Sequence, residues 1–128
     1  MLHGFMDDLC WLNGTFLPLR EARVSVEDRG FNFADGVYEV FRLYPSGFFR
    51  LGSHLARLRR SCAGIELAFP LADEDLTRVV DELAKRRGLA SAMVYLQVTR
   101  GPAPRHHSFP VSANPTVMMS IKPLPAAT

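Results

Sequence analysis

Apolar residues along this chain change their spacing several times, and each change marks an element. From Val37 to Tyr44, "VYEVFRLY", apolar and polar positions alternate. Val37, Glu39, Phe41 and Leu43 then share one face, and Tyr38, Val40, Arg42 and Tyr44 the other. That pattern predicts a strand with two unlike faces. "PSG" predicts a turn, and "FFRL" a strand that pairs back. In "GSHLARLRRSCAGIEL" the period becomes three or four: Leu55, Leu58, Cys62 and Ile65 form one helical face. Ser53 is placed to cap that helix. Beyond Pro70, Leu76, Val79, Val80 and Leu83 predict a second helix. Acids open it, "KRR" closes it, and Gly88 stops it, in keeping with the helix dipole and capping preferences.

The remaining segments complete the order. "CWLNGTFLPL" holds two short apolar pieces around Asn13-Gly14, a pair that favours the positive φ angles of a type I′ hairpin. "EARVSVEDRGFNFADG" is polar and punctuated by glycine, so it predicts irregular chain. "AMVYLQVTR" and "TVMMSIK" predict strands, the second ended by Pro123 and Pro125. Strands and helices are segregated, with no strand-helix-strand alternation. The expected fold class is α+β: a mainly antiparallel sheet with two helices packed on one face.

Composition narrows the setting. With 128 residues, 48% hydrophobic and 22% charged, the chain is expected to be one domain with a single core. A net charge of +2 is too small to imply nucleic acid. No run of 18 apolar residues and no signal-peptide pattern occurs, so neither a membrane span nor secretion is expected. Cys10 and Cys62 lack CxxC or metal spacing and predict free thiols in a reducing, cytoplasmic compartment. Of the 15 cations only Lys85 and Lys122 are lysines. Arginine presents a planar fork suited to carboxylate and phosphate.

The motifs that announce common chemistries are missing: no GxGxxG, P-loop, HExxH or GxSxG. What stands out is "TRGPAPRHHSF", residues 99–109. Arg105 and His107 lie two apart, so an extended segment projects both to one side. Together they can donate to one carboxylate. A solvated surface loop explains the same residues, and spacing alone favours it. His106 and His107 are adjacent and point apart, a poor metal pair, and no metal is expected. Arg57 flanks the apolar face of the first helix. It reads as an anion ligand or, more simply, as a snorkelling surface cation. The Tyr38 phenol can donate to a substrate or pack in the sheet, and spacing favours packing.

Taken together in order, "EDRGFNFADGVYEVFR", "HLARLRRSC" and "YLQVTRGPAPRHHSFP" resemble the N-terminal domain of the fold-type IV (class IV) pyridoxal-phosphate aminotransferases. They are most similar to the D-amino acid (D-alanine) enzymes, over nearly the whole chain. The resemblance implies roles for four residues. Arg57 in "HLARL" matches the arginine that binds the cofactor phosphate. Tyr38 in "DGVYE", with Arg105 and His107 in "PRHH", matches the three residues that trap the substrate carboxylate. Phe31 and Phe33 are expected near the site without a chemical role. The Arg-x-His pair separates D-amino acid enzymes from the branched-chain aminotransferases and aminodeoxychorismate lyases, which are the alternative readings on the same fold. The implied reaction moves an amino group from a D-amino acid to a 2-oxo acid on pyridoxal 5'-phosphate, in a homodimer. The family's Schiff-base lysine lies on a second domain. Neither Lys85 nor Lys122 matches it, so no catalytic residue is assigned here. Residues 1–128 are expected to be a single N-terminal domain, inactive alone, with "KPLPAAT" opening an interdomain linker. A non-catalytic, anion-binding truncated domain is the alternative from another class.

Overall fold

The computed structural model describes residues 8–124. The chain begins with a hairpin, β1 (Leu9–Leu12) and β2 (Thr15–Pro18). Asn13 and Gly14 adopt φ of 49° and 99°, the two positive angles that the Asn-Gly pair predicts. Asn13 does more than turn the chain. Its side-chain oxygen accepts from Val117 N–H at 2.8 Å, and its own N–H donates to the Val117 carbonyl at 2.9 Å. The hairpin tip is thereby tied to β6 (Thr116–Pro123).

A short 3-10 turn, Leu19–Glu21, leads to an element that the sequence pattern does not foretell: a single helical turn, α1 (Arg29–Phe33). Asp28 caps it, its carboxylate accepting from Gly30 N–H at 2.8 Å, and Ala34 ends it in the left-handed region at φ 55°. β3 (Gly36–Tyr44) follows with the predicted alternation, and turns into β4 (Gly47–Phe48), much shorter than the "FFRL" strand expected. Arg50, at φ 54°, turns the chain directly into α2 (Leu51–Gly64). Ser53 therefore lies inside the first turn and is not the cap. α3 (Asp73–Arg87) carries the predicted acidic start and basic end, and Gly88 closes it at φ 66°. β5 (Ala92–Thr99) precedes β6. Pro125 and the rest of the expected linker lie outside the described residues.

The six strands form one antiparallel sheet in the order β2-β1-β6-β5-β3-β4. The last strand inserts between the first and the fifth. One core forms where Phe41, Val94, Leu96, Met119 and Ile121 of the sheet meet Leu55, Leu58 and Cys62 of α2 and Leu76, Val80 and Leu83 of α3. These sheet residues all belong to one face, so both helices cover the same side, as the α+β expectation requires. On the opposite face Tyr38, Val40 and Tyr44 of β3 are exposed, whereas Cys10 of β1 and Ser120 of β6, which share that face, are buried. Cys10 and Cys62 are free and buried, and burial pushes both thiols up from their ordinary range. No helix among the described residues is long and apolar enough to cross a membrane.

Candidate active site

The polar chemistry gathers at the end of the sheet where α1 meets the loop that links β5 to β6. Asp28 is its hub. Besides Gly30 N–H, its buried carboxylate accepts from Thr99 Oγ1 at 2.7 Å and from Thr116 Oγ1 at 2.6 Å. One side chain thus joins α1, β5 and β6, and all three donors are needed to satisfy a carboxylate taken out of water.

Next to it lies a buried ionic cluster. Asp35 Oδ2 accepts from Arg29 Nε at 2.7 Å and from Arg100 Nε at 2.8 Å, and all three side chains are almost fully buried. Arg100 reaches on to the carbonyls of Ile65 and Glu66 beyond α2. Arg29 reaches on to the carbonyl of His106 at 2.6 Å. Burial pushes the Asp35 carboxyl up, but the hydrogen bonds and charges of Arg100 and Arg29 outweigh it and leave it below the ordinary carboxylate range. Sequence reading passed over this cluster, because "EDRGFNFADG" looks like solvated loop. The available signal was two acids bracketing an arginine at positions 28, 29 and 35, with Arg100 at a strand end.

The loop itself is clamped along its length. Arg29 N–H donates to the Gly101 carbonyl, Arg100 N–H to the Asp35 carbonyl and Ala103 N–H to the Glu27 carbonyl. On this support Arg105 and His107 both face Phe33. The Arg105 guanidinium lies 5.2 Å from the ring centroid, and the His107 ring meets it edge-on at 5.6 Å and 61°. The two residues do meet, at an aromatic ring, but the segment is bent at 104–105 and 107–108 rather than extended as expected. Both residues are exposed, and among the described residues neither side chain donates a hydrogen bond.

Tyr38 stands on the open face of β3, 60% exposed and stacked on Tyr95 at 5.6 Å and 23°. Arg57 is on the other side of the sheet. It makes a two-pronged ion pair with Glu39, Nε to Oε2 and Nη2 to Oε1, both at 2.8 Å. His54 Nδ1 lies 2.7 Å from Glu39 Oε1, and an ionised carboxylate can only accept, so the imidazole donates. Burial pushes the Glu39 carboxyl up, yet Arg57 and His54 outweigh it and hold it below the usual range. The same pairing raises Arg57 above its ordinary value. Sequence reading placed Glu39 on the apolar face without asking what a carboxylate does there. A buried Glu between Val37 and Phe41 required a cation on the covering helix.

Arg57 fits a phosphate in one respect. Its fork is spent on Glu39 through Nε and Nη2, while Nη1 makes no bond among the described residues and the side chain remains 59% exposed. The Glu39 carboxylate would hold the guanidinium in place for an anion on its free edge. Among the described residues, no hydrogen bond, ion pair or ring contact joins Arg57 or Tyr38 to Arg105 or His107. Lys122 shares the open face with Tyr38 but lies two strands and four residues away, roughly 16 Å by strand geometry. Lys85 lies in the last turn of α3.

Both depressed carboxyls fix a pH dependence. A carboxyl with a lowered folded pKa stabilises the fold fully above its unfolded pKa, near 4, and this stabilisation is lost as pH falls through the lower folded value. Stability should therefore be level from about pH 5 to 7 and fall below about pH 4. Urea midpoints measured at pH 7, 5 and 3 check it, and a midpoint at pH 3 equal to that at pH 7 would contradict the assignments of Asp35 and Glu39.

Comparison with known proteins shows the family. Residues 36–128 match the family model of the class IV amino-transferases. The chain is 42% identical over 110 residues to the D-alanine aminotransferase of Staphylococcus haemolyticus, covering 86% of this chain and 39% of the relative. It is 44% identical over 100 residues to that of Listeria innocua, covering 77% and 35%. Among solved structures, a T.th. branched-chain amino acid aminotransferase with pyridoxamine 5'-phosphate superposes with a TM-score of 0.85 at 26% identity, covering 93% of this chain and 40% of the other. The Escherichia coli branched-chain enzyme shares the fold with a TM-score of 0.86 at 21% identity, covering 91% and 41%. The chain spans about two fifths of the length of these relatives. With the family model matching residues 36–128 and the fold shared with solved aminotransferases, this chain belongs to the class IV aminotransferase family.

Proposed function

We propose that residues 1–128 form the N-terminal domain of a pyridoxal-phosphate-dependent transaminase that moves the amino group of a D-amino acid such as D-alanine to a 2-oxo acid. The lysine that bonds the cofactor would lie on a further domain. The observation that carries the reading is the convergence of Arg105 and His107 on Phe33, on a clamped loop, in a chain 42% identical to a D-alanine aminotransferase.

In this reading Arg105 donates its fork to the substrate carboxylate and His107 donates through a ring nitrogen. The Tyr38 hydroxyl, exposed on the open face, adds a third donor. Fixing the carboxylate decides which face of the α-carbon is presented for proton transfer. Arg57 offers its free edge to the cofactor phosphate, held by Glu39. The cofactor, when bound, supplies the aldehyde that takes up the amino group and the electron sink that stabilises charge at the α-carbon. The opposite facings of Tyr38 and Arg57 accord with a homodimer in which trap residues of one copy serve the site of the other. Two free buried thiols accord with a cytoplasmic location.

The branched-chain reading rests on neighbours at 21–26% identity, and Arg105-x-His107 stands against it. On the intact protein, D-alanine with 2-oxoglutarate should turn over and L-leucine should not, and the reverse preference would move the chain to the branched-chain group. Arg105→Ala should raise the D-alanine KM by about 10- to 100-fold, the loss of one or two charge-assisted hydrogen bonds. It should leave pyridoxal-phosphate affinity within about twofold. Arg57→Ala should weaken the cofactor and spare the carboxylate. Equal losses of both in either variant would remove the role assignments.

A further inference from the structure

We infer that Arg29, acting through Phe33 and the carbonyl of His106, is the positioning residue that holds Arg105 and His107 as a ready-made carboxylate pair. The inference rests on the proposed trap and adds residues that touch no substrate.

Arg29 is buried, and its donors point in two directions at once. Nε goes to Asp35 at 2.7 Å and Nη1 to the His106 carbonyl at 2.6 Å. His106 is the residue between the two trap residues, so fixing its carbonyl fixes the peptide from which both side chains spring. The guanidinium plane also lies 4.6 Å from the Phe33 ring centroid and 5.8 Å from that of Phe109. Phe33 is thus a shared plate, with Arg29 on it at 4.6 Å, Arg105 at 5.2 Å and the His107 ring edge-on at 5.6 Å. Arg29 also grips the start of the loop, its N–H donating to the Gly101 carbonyl at 2.9 Å. Asp35 in turn is held by Arg100, whose guanidinium lies 3.7 Å from the Phe109 ring centroid. One buried residue therefore touches the loop at Gly101, His106 and Phe109, on both sides of Arg105 and His107.

The physical consequence concerns binding. An exposed segment rich in glycine and proline that ordered only on contact with its ligand would lose conformational entropy at that moment and bind more weakly. Arg29 removes that loss in advance. Lysine cannot replace it, because an ammonium is a compact point charge without a planar fork to span Asp35, His106 and the Phe33 face together.

The test uses the chain itself, with sodium pyruvate as the carboxylate probe. Its binding is followed by NMR on the His107 ring and the Arg105 Nε–H, together with heteronuclear NOEs of the His106 and His107 amides. Arg29→Lys should keep the dispersed amide spectrum, lower those two NOEs selectively, and weaken pyruvate about 5- to 20-fold. Wild-type affinity and rigid 106–107 amides in a folded Arg29→Lys protein would overturn the inference. Arg105→Ala separates this from failure of the trap itself. If that variant binds pyruvate like the wild type, the trap reading falls and the positioning role with it. If it weakens binding while Arg29→Lys does not, only the inference falls. Should Arg29→Lys unfold, Phe33→Leu decides, since it keeps the Arg29–Asp35 pair and the apolar volume while removing the plate. Weakened pyruvate binding with an intact fold then supports the role, and unchanged binding refutes it.

Discussion

Asp35→Asn is expected to destabilise the chain by about 3–5 kcal/mol, the range seen when one partner of a buried ion pair is removed. The reason is the stoichiometry of the cluster. Two guanidiniums, from Arg29 and Arg100, converge on a single oxygen of Asp35, and all three side chains are buried. An amide of the same shape leaves both cations with no counter-charge, and its NH2 group could face donors with another donor. Folded domains of this size hold about 5–15 kcal/mol in all, so the loss takes a large share of the total. A fall in Tm of roughly 10–20 °C is expected, measured by calorimetry at pH 7. Two further observations separate this cause from a general packing defect. The variant should lose much of the acid-induced fall in stability, because one of the two depressed carboxyls is gone. Replacing Arg29 and Arg100 together with Met in the same variant should recover stability, as removal of whole buried ion clusters in favour of apolar side chains can do. A variant within about 1 kcal/mol of the wild type, below the range for a broken buried pair, would show that the two arginines find other partners.

How much of this was legible in the sequence depends on how local each cause is. The hairpin at Asn13-Gly14 follows from backbone preference at two residues, and the ends of α3 follow from acids, bases and Gly88 within one turn. Alternation along Val37–Tyr44 was enough to place Tyr38 and Glu39 on opposite faces. The strand order was not legible, because β6 slips between β1 and β5 through contacts some hundred residues apart in the chain, such as Val117 with Asn13. α1 was missed since a five-residue helix is shorter than two periods of its own pattern. The start of α2 was misplaced because Arg50, in a left-handed conformation that few arginines adopt, turns the chain three residues earlier than a capping Ser53 would.

The site divides in the same way. Arg105 and His107 could be seen as a pair from their two-residue spacing, although the chain there is bent at 104–105 and 107–108 and not extended. That they share Phe33 could not, because Phe33 belongs to an element seventy residues away that looked irregular. Arg57 was read as a cation at the edge of an apolar face and is one. What escaped was its partner: Glu39 sits among Val37, Phe41 and Leu43, and a carboxylate there must be neutral or paired. Arg29 and Arg100 escaped because arginine is so rarely buried that a charged stretch reads as solvent-facing until its acids are seen to fold back over it. The signals that would have found these residues are charges in places where hydrophobic burial predicts none.

Gly101→Ala carries the second large effect, and it acts on the same loop from its other edge. Gly101 is buried at φ +92°, a conformation L side chains rarely adopt, and a Cβ built there would lie 1.9 Å from the Asn114 carbonyl oxygen and 2.7 Å from its carbon. Both neighbours are backbone, so no side-chain rotation relieves the contact. The left-handed region alone costs an ordinary residue about 1–2 kcal/mol, and separating the two chain segments adds to it. A total above about 2 kcal/mol and a drop in Tm of roughly 10 °C are expected. The displacement should also reach the candidate site. Gly101 receives the Arg29 N–H on its carbonyl and donates its own N–H to Thr99 Oγ1 at 3.0 Å. Thr99 is one of the three donors on Asp28, so a shifted residue 101 disturbs the hub and the clamp together. Amide shifts in Gly101→Ala should therefore spread to Gly30, Thr99, His106 and Thr116 while Leu58 and Val80 of the helical core stay put. Shifts confined to residues 100–103 would mean that the loop takes up the strain locally, and that the Asp28 hub and the Arg29 clamp are not mechanically joined.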